Sequence, residues 1–361
     1  MQSNSPQSDR DIVVRPVDRN DAAAWDSFVD RFPHHSPLAR FLWRDVLVRH
    51  HGAQPHFLVA ERRSGEMEGL AGAYVVRSLR GRKRLFTLQR GLLATSAGAT
   101  QALAESLASL AAREGVVGGN ITGETPQPLG TFAAAQVTTM VVPVSLDEQA
   151  NWSGLRDKTR NMVRKAQRSG IQVRSGLEFL PALYDVYAHE MVSRGVPIYS
   201  RGLWRDVARL FGQNAHILVA EKDGQVIAGL FLLFGNTTAC DLFQASRLET
   251  RNLAPVPMLL WEAMRLASAQ GLSRFDLGPS TVGSNTYKAK VNFGGVPETF
   301  DKYDLAKPRQ GAVPEAANTS AVIPAQTPSV LARADTYLSQ KAWWPIRYRF
   351  NLWKRRQTSM F

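Results

Sequence analysis

PHFLVAERRSGEMEGLAGAY, residues 55–74, and AHILVAEKDGQVIAGLFLLF, residues 215–234, align without a gap at an offset of 160. His56 meets His216, Leu58-Val59-Ala60-Glu61 meets Leu218-Val219-Ala220-Glu221, and Gly69-Leu70 meets Gly229-Leu230. Upstream of each stretch stands the same tetrapeptide, Trp-Arg-Asp-Val, at 43–46 and at 204–207. Two generic hairpins can share letters by coincidence, but a shared WRDV upstream at distances that differ by one residue argues for duplication. Each copy has a helical pattern containing WRDV, then a strand of about six residues (HFLVAE, HILVAE). A polar turn (RRSGE, KDGQ) and a second apolar strand follow. Helix, antiparallel hairpin, further strands and a helix make an α+β layout, mixed sheets flanked by helices.

Working outward, 361 residues exceed one ordinary core, so two domains are expected. The reading is a disordered 1–10, a first domain at 11–150 that is degenerate, and a second, active domain at 151–306. LRDKTRNMVRKAQRSGIQV (155–173) predicts an amphipathic helix with Leu155, Met162, Val163 and Ala166 near one face, stopped at Gly170. Leu259–Gln270 predicts another, opened by Pro257 and closed by Gly271, with strand RFDLG (274–278) after it. Residues 307–332, rich in Pro, Ala, Ser and Thr, read as a flexible linker. Residues 333–361 form a basic aromatic tail with Trp343, Trp344, Tyr348, Phe350, Trp353 and Lys354-Arg355-Arg356.

The formal charge is +13, the balance of a protein that meets a polyanion: RNA, an anionic membrane or a phosphorylated substrate. The tail has seven Lys/Arg against one acid, so the body is only moderately basic. The tail suits an anionic lipid surface, aromatics at headgroup level and cations on the lipid charge. A helix docked on the body is the other reading; the Pro-rich stretch ahead of it favours the first. Cys240 is the single cysteine, which excludes an internal disulfide. The N-terminus lacks an apolar signal core, and no run of about 18 apolar residues occurs. The expected location is cytoplasmic, with a peripheral position on the inner face of the membrane if the tail binds lipid.

No HExxH, CxxC, GxSxG or Walker loop occurs, so no metal and no cofactor is expected. His56 and His216, at strand starts, read as structural. Three clusters remain. Lys158, Arg160 and Arg164 lie on the helix at 155–173, where Arg160 and Arg164 share a face. Such a fork suits phosphate or carboxylate; a solvated helix face is the bland alternative. Arg194 and Tyr199, in MVSRGVPIYS, sit on a helix end and the loop after it, equally fit for substrate or structure. FDLGPSTVGSNTYKAKVNFGG (275–295) ends a strand at Gly278-Pro279-Ser280 and leads through a polar loop into Tyr287-Lys288-Ala289-Lys290. A lysine beside a strand end can steady the oxyanion formed when an amine attacks an ester or thioester carbonyl. Asp276 and Ser280 can orient groups or relay a proton. The residues leave open which lysine, Lys288 or Lys290, serves catalysis and which binds substrate; Asp276 and Tyr287 are further catalytic candidates, and Lys158, Arg160, Arg164, Arg194, Tyr199 and Ser280 are substrate-binding candidates.

KTRNMVRKAQRSGIQV, ASRLETRNLAPVPMLLWEAMRLASAQGLSRFDLGPS and TYKAKVNFGG together resemble FemAB-type proteins, in particular the short Gram-negative branch that accompanies exopolysaccharide and PEP-CTERM protein-sorting gene sets. The resemblance covers roughly residues 10–305 and is more specific in the second half. It implies twin acetyltransferase-like (GNAT-like) domains and transfer of an amino acid from aminoacyl-tRNA to an amine of a cell-wall (peptidoglycan) precursor. The family's Phe-Lys pair falls on Ala289-Lys290, which makes Lys290 the candidate for holding the acceptor end of the donor RNA or the reacting carbonyl. Lys158, Arg160, Arg164, Arg194 and Tyr199 would line the acceptor side. The coiled-coil arm of some tRNA-using members has no counterpart here.

Acetyl-CoA enzymes of this fold cradle pyrophosphate on a Gly-rich turn opening a helix. The corresponding stretch here, Arg247 to Pro257, lacks glycine, and Pro255 and Pro257 offer no backbone N–H. Aminoacyl-tRNA or another bulky acyl donor fits this better than a standard CoA grip. Three readings follow: amide-forming transfer to a glycan or peptide cell-envelope precursor, acyl-CoA-dependent N- or O-acyl transfer to an exopolysaccharide, and a non-catalytic membrane-recruited scaffold.

Overall fold

A computed structural model describes residues 11–32, 37–77, 81–130, 132–195 and 198–308. The sequence-expected disordered 1–10, most of the linker and the whole basic tail lie outside the described residues. The chain forms two compact units, 11–137 with 299–308 and 138–298 within the described residues.

In chain order the elements are β1 (Ile12–Pro16), α1 (Ala22–Val29), α2 (Trp43–His51), β2 (Gln54–Arg62), β3 (Met67–Arg77), β4 (Lys83–Ala94), α3 (Ala97–Arg113) and β5 (Val116–Glu124). Then come β6 (Phe132–Pro143), α4 (Glu148–Gly154), α5 (Asp157–Arg168), β7 (Gln172–Ser175), α6 (Leu180–Ser193), α7 (Arg201–Phe211) and β8 (Ala215–Lys222). The chain continues through β9 (Gln225–Phe234), β10 (Thr238–Ser246), α8 (Pro255–Ala269), β11 (Arg274–Pro279), α9 (Asn285–Asn292) and β12 (Val296–Pro308).

In the first unit the strand order is β1-β2-β3-β4-β5-β12, and every neighbouring pair is antiparallel except parallel β4/β5. In the second it is β7-β8-β9-β10-β11-β6, again antiparallel except parallel β10/β11. The same order with its one parallel step in the same place is the duplication expressed as topology. It is the tandem α+β arrangement expected from the repeats.

The repeated WRDV is a packing device. In α7, Leu203, Trp204, Val207, Ala208 and Phe211 form the buried face, the spacing of one helix stripe. Trp204 stacks on Phe243 at 4.6 Å and 8° and meets Tyr184 edge-on at 5.5 Å. In α2 the equivalent Trp43 and Val46 are buried. The Arg and Asp of each motif sit at the more exposed positions. Both helices therefore dock by the same two residues. On the other sheet face of the second unit, Val163 and Ala166 of α5 join Leu259, Ala263 and Met264 of α8 in one core with Leu155 and Ile171. Met162 is only partly buried. Covered on both faces, β9 is apolar almost throughout.

The gapless alignment is off by one residue beyond the turn. Ala60 pairs with Gly69, whereas Ala220 pairs with Ala228, not Gly229. The second hairpin closes through Asp223-Gly224, with φ of 51° and 74°, a two-residue turn. The first needs a longer loop from Arg63 to Glu66. One residue reverses the face of a strand. A Cβ on Gly69 would meet Leu103 of α3 at 2.9 Å, while one on Gly229 would meet Leu183 of α6 at 2.6 Å.

Candidate active site

In the second unit, β10 and β11 are registered over three pairs, Thr238 with Arg274, Ala239 with Phe275 and Cys240 with Asp276. Past Cys240, β10 runs on to Ser246 and β11 to Pro279 without pairing to each other. Two irregularities mark the parting. β10 bulges against β9 between Asp241 and Phe243, which re-aims side chains. β11 shifts register against β6 between Asp276 and Pro279. Gly278 there has φ 79°, a conformation that glycine takes without a Cβ penalty.

Lys290 comes to this place from α9, whose first turn is capped by Ser284 Oγ accepting from Tyr287 N at 3.1 Å. Lys290 is 9% exposed. Its Nζ donates to the Gly278 carbonyl at 2.9 Å and to the Pro279 carbonyl at 3.2 Å. Burial pushes the ammonium below its ordinary pKa, and the charges of Asp241 and Asp276 oppose that. An ammonium carries three donors, so two are committed to strand-end carbonyls and one remains.

The two carboxyl groups differ in their hydrogen bonding. Asp276 is buried, and its Oδ1 accepts from Thr139 Oγ1 at 2.6 Å and from Gly278 N at 2.8 Å. Asp241 Oδ2 accepts from Gln244 Nε2 at 2.8 Å. Although Asp241 is only half-buried as a residue, its Oδ1 is closed to solvent and has no hydrogen-bond partner. Burial pushes this carboxyl up to about 7, with Lys290 opposing and Asp276 adding. Ser280 Oγ, one residue past the Pro279 carbonyl, is likewise buried without a partner.

The structure thus gathers Lys290, Asp276 and Ser280 at the strand parting. Tyr287 is half-buried with its ring against the core, and Lys288 is exposed. Arg160 folds back on its own segment, donating to Leu155 O at 2.5 Å, to Ser153 O at 3.1 Å and to Asp157. Arg164 is exposed and lies over Trp152, 5.3 Å from its ring; Lys158 is exposed. This helix is tied to α9, because Thr159 Oγ1 and Arg156 N both donate to Asn292 O, at 2.8 and 3.0 Å. Arg194 pairs with the buried Glu190. Tyr199 is buried against Phe243 at 5.1 Å, with its carbonyl accepting from Tyr184 OH at 2.7 Å.

Sequence reading missed Asp241 and Glu190. Asp241 is one acid inside the apolar strand TACDLFQAS, and that interruption was its only signal. Glu190 accepts from Ser246 N and from Arg251 Nη2, each at 2.6 Å. It thereby anchors the turn Leu248–Leu253 that leads to α8. That turn ends at Ala254 (φ 60°), and α8 begins directly on Pro255.

The first unit differs at the matching place. β4 and β5 pair at Phe86–Asn120 and again at Leu92–Gly123, so they rejoin after a bulge instead of parting. Thr122 N donates to Thr87 Oγ1 at 2.8 Å, and Thr122 Oγ1 donates to Leu88 O at 3.0 Å. Arg90, φ 52°, is buried in this bulge, 3.1 Å from Glu124 and 4.9 Å from the Phe300 ring. Among the described residues no helix corresponding to α9 follows β5.

Residues 153–289 match the family model described as Acetyltransferase (GNAT) domain. A search of curated proteins returns no match. Among solved structures, the chain is similar to FemX, with TM-score 0.64 and 15% identity over 80% of this chain and 96% of that one. It is also similar to a tandem GNAT protein from the clavulanic acid biosynthesis pathway, with TM-score 0.54 and 13% identity over 83% of this chain and 100% of that one. A third similar structure is the C-terminal DUF2156 domain of an Agrobacterium fabrum protein described as a lysylphosphatidylglycerol synthetase, with TM-score 0.54 and 13% identity over 80% and 92%. At these identities the likeness is one of fold. The fold is tandem GNAT-like, and the domain match makes the second unit an acyltransferase. Among the described residues no helix is long and apolar enough to cross a membrane, and no cluster of metal-ligating side chains occurs.

Proposed function

We propose that the second unit transfers an activated aminoacyl group to an amine of a cell-envelope glycan or peptide precursor, in the manner of the FemAB branch associated with exopolysaccharide and PEP-CTERM gene sets. The observation that carries this reading is Lys290: a buried ammonium held by two strand-end carbonyls, with one donor left, where the parallel strands separate. A fixed cation in a dry setting steadies the oxyanion of an attacked carbonyl, without reorganising as charge develops. The amine attacks the donor directly in this reading, with no covalent enzyme intermediate. Asp276, bonded to Gly278 N, keeps the turn that presents the two carbonyls. The reaction would take place on the cytoplasmic side, with the tail at 333–361 holding the protein to anionic lipid.

Aminoacyl-tRNA is the preferred donor because α8 opens on Pro255 and Pro257, which subtract two amides from a phosphate grip. The domain match, described as an acetyltransferase, favours a second reading, an acyl thioester donor and an exopolysaccharide acceptor; it weighs against a non-catalytic scaffold. In the first unit, the rejoined strands and the buried Arg90 support a role as a structural copy. Calorimetry with CoA and with bulk tRNA separates the donors. Binding of tRNA without CoA fits the first reading, CoA binding fits the second, and binding of neither removes both.

A further inference from the structure

The charges at the strand parting do not balance. Lys290 contributes one cation, and Asp276 has its Oδ1 held by Thr139 and Gly278. Asp241 is then a second acid beside a single cation, with one oxygen shielded from solvent and unbonded. The groups that bear on it are Lys290 from α9 and Asp276 from β11, with Gln244 on its own strand; its cross-strand neighbour in β9 is the apolar Leu232. An ordinary structural carboxylate in such a position would be fully hydrogen-bonded. A bulge in β10 falls at this residue, and bulges are enriched next to active sites.

Resting on the transfer reading above, we propose that Asp241 is the catalytic base: its unbonded Oδ1, closed to solvent in the unliganded fold, is uncovered as the amine enters between the parted strands and takes the amine's proton. The amine nitrogen bonds to the acyl carbonyl carbon as the C=O π pair moves to oxygen, where the remaining Lys290 N–H meets it. The nitrogen's excess proton passes to Asp241. Collapse of the intermediate reforms C=O and breaks the bond to the leaving oxygen or sulfur, which takes that proton from Asp241. Amine and ester or thioester become amide and alcohol or thiol, and both side chains end as they began. The carboxyl's position near neutrality fits this task, since a base titrating near working pH is both available and strong enough. Gln244 holds the other oxygen and so fixes which one faces the amine.

The test uses the full chain with alanyl-tRNA and acetyl-CoA in turn as donors and glycinamide as the amine. Wild type should transfer from one of them, with kcat rising tenfold per pH unit to a break near 7. Asp241→Asn, isosteric and able to keep the Gln244 contact, should lose about 10² to 10⁴ of the rate together with that break, and Asp241→Glu should restore part of both. Carboxyl ¹³C NMR of Asp-labelled protein should show one group titrating near neutrality that vanishes in Asp241→Asn. An Asp241→Asn enzyme with the wild-type rate and pH profile overturns the assignment and leaves the transfer reading standing, as does a carboxyl titrating in the ordinary Asp range. A wild type silent with both donors removes the transfer reading and the assignment together.

Discussion

Cys240 and Asp276 are the last residues to hold β10 and β11 in register. One residue further on stands Asp241, and two residues past Asp276 stands the Gly278 carbonyl that receives Lys290. The chemistry of the second unit is gathered within this short distance of one strand parting. The first unit closes the same place with threonine bonds, close-packed glycines and an arginine.

Asp241 makes folding stability depend on pH. Its carboxyl stands at about 7 in the fold against an ordinary 3.8. Between these values the folded state holds a proton that the unfolded chain has released. The stability tied to this group is therefore full below pH 4 and is lost as pH rises through 7. Asp241→Asn should melt level with wild type near pH 4 and higher than it at pH 8, where the gap reaches roughly 4 kcal/mol at most. Thermal melts across pH 4–8 check this. A gap that is constant with pH would contradict it.

Gly123 allows the parallel strands of the first unit to touch. A Cβ there would stand 2.2 Å from Leu92 O and 2.8 Å from the Leu92 side chain. Backbone on backbone has no rotamer to yield. Gly123→Ala should cost on the order of 3 kcal/mol, read as a lowered denaturation midpoint. Gly130→Ala, with nothing near its added carbon, should be close to neutral.

Glu190→Ala should loosen the turn at Leu248–Leu253. It removes the acceptor of Arg251, Arg194 and Ser246 N at once. Arg194 and Arg251 are half-exposed and rehydrate, so the cost comes mainly from the Ser246 N–H left unpaired and is about 1–3 kcal/mol. Hydrogen exchange should quicken at Ser246 and through 248–253, while β8 and β9 stay protected. Unchanged exchange would show that the turn is held by other contacts.

Much of the fold was legible because hydrophobic period and repeats are local: WRDV, the HxLVAE strands and the Gly170 stop all stand where the pattern puts them. The turn length was not legible in the same way. Asp223-Gly224 and Arg63–Glu66 look interchangeable as polar residues, and only the register reveals the residue between them. At the site, Asp276 was marked by its place at a strand end, and Lys290 by the resemblance of Ala289-Lys290 to the family's Phe-Lys pair. Arg160 and Tyr199 carried equally suggestive side chains, but whether a guanidinium or a ring turns inward depends on neighbours such as Ser153 O and Phe243. Asp241 needed the tertiary setting most. A lone acid in a strand means little until the two strands beside it separate.

Single-turnover transfer of labelled alanine from alanyl-tRNA, and of labelled acetyl from acetyl-CoA, to glycinamide by wild type and Lys290→Ala is the most direct measurement. Transfer by wild type, slowed about 10² to 10³-fold in a Lys290→Ala protein that still melts cooperatively, is the predicted result. A folded Lys290→Ala protein that transfers at the wild-type rate would contradict it.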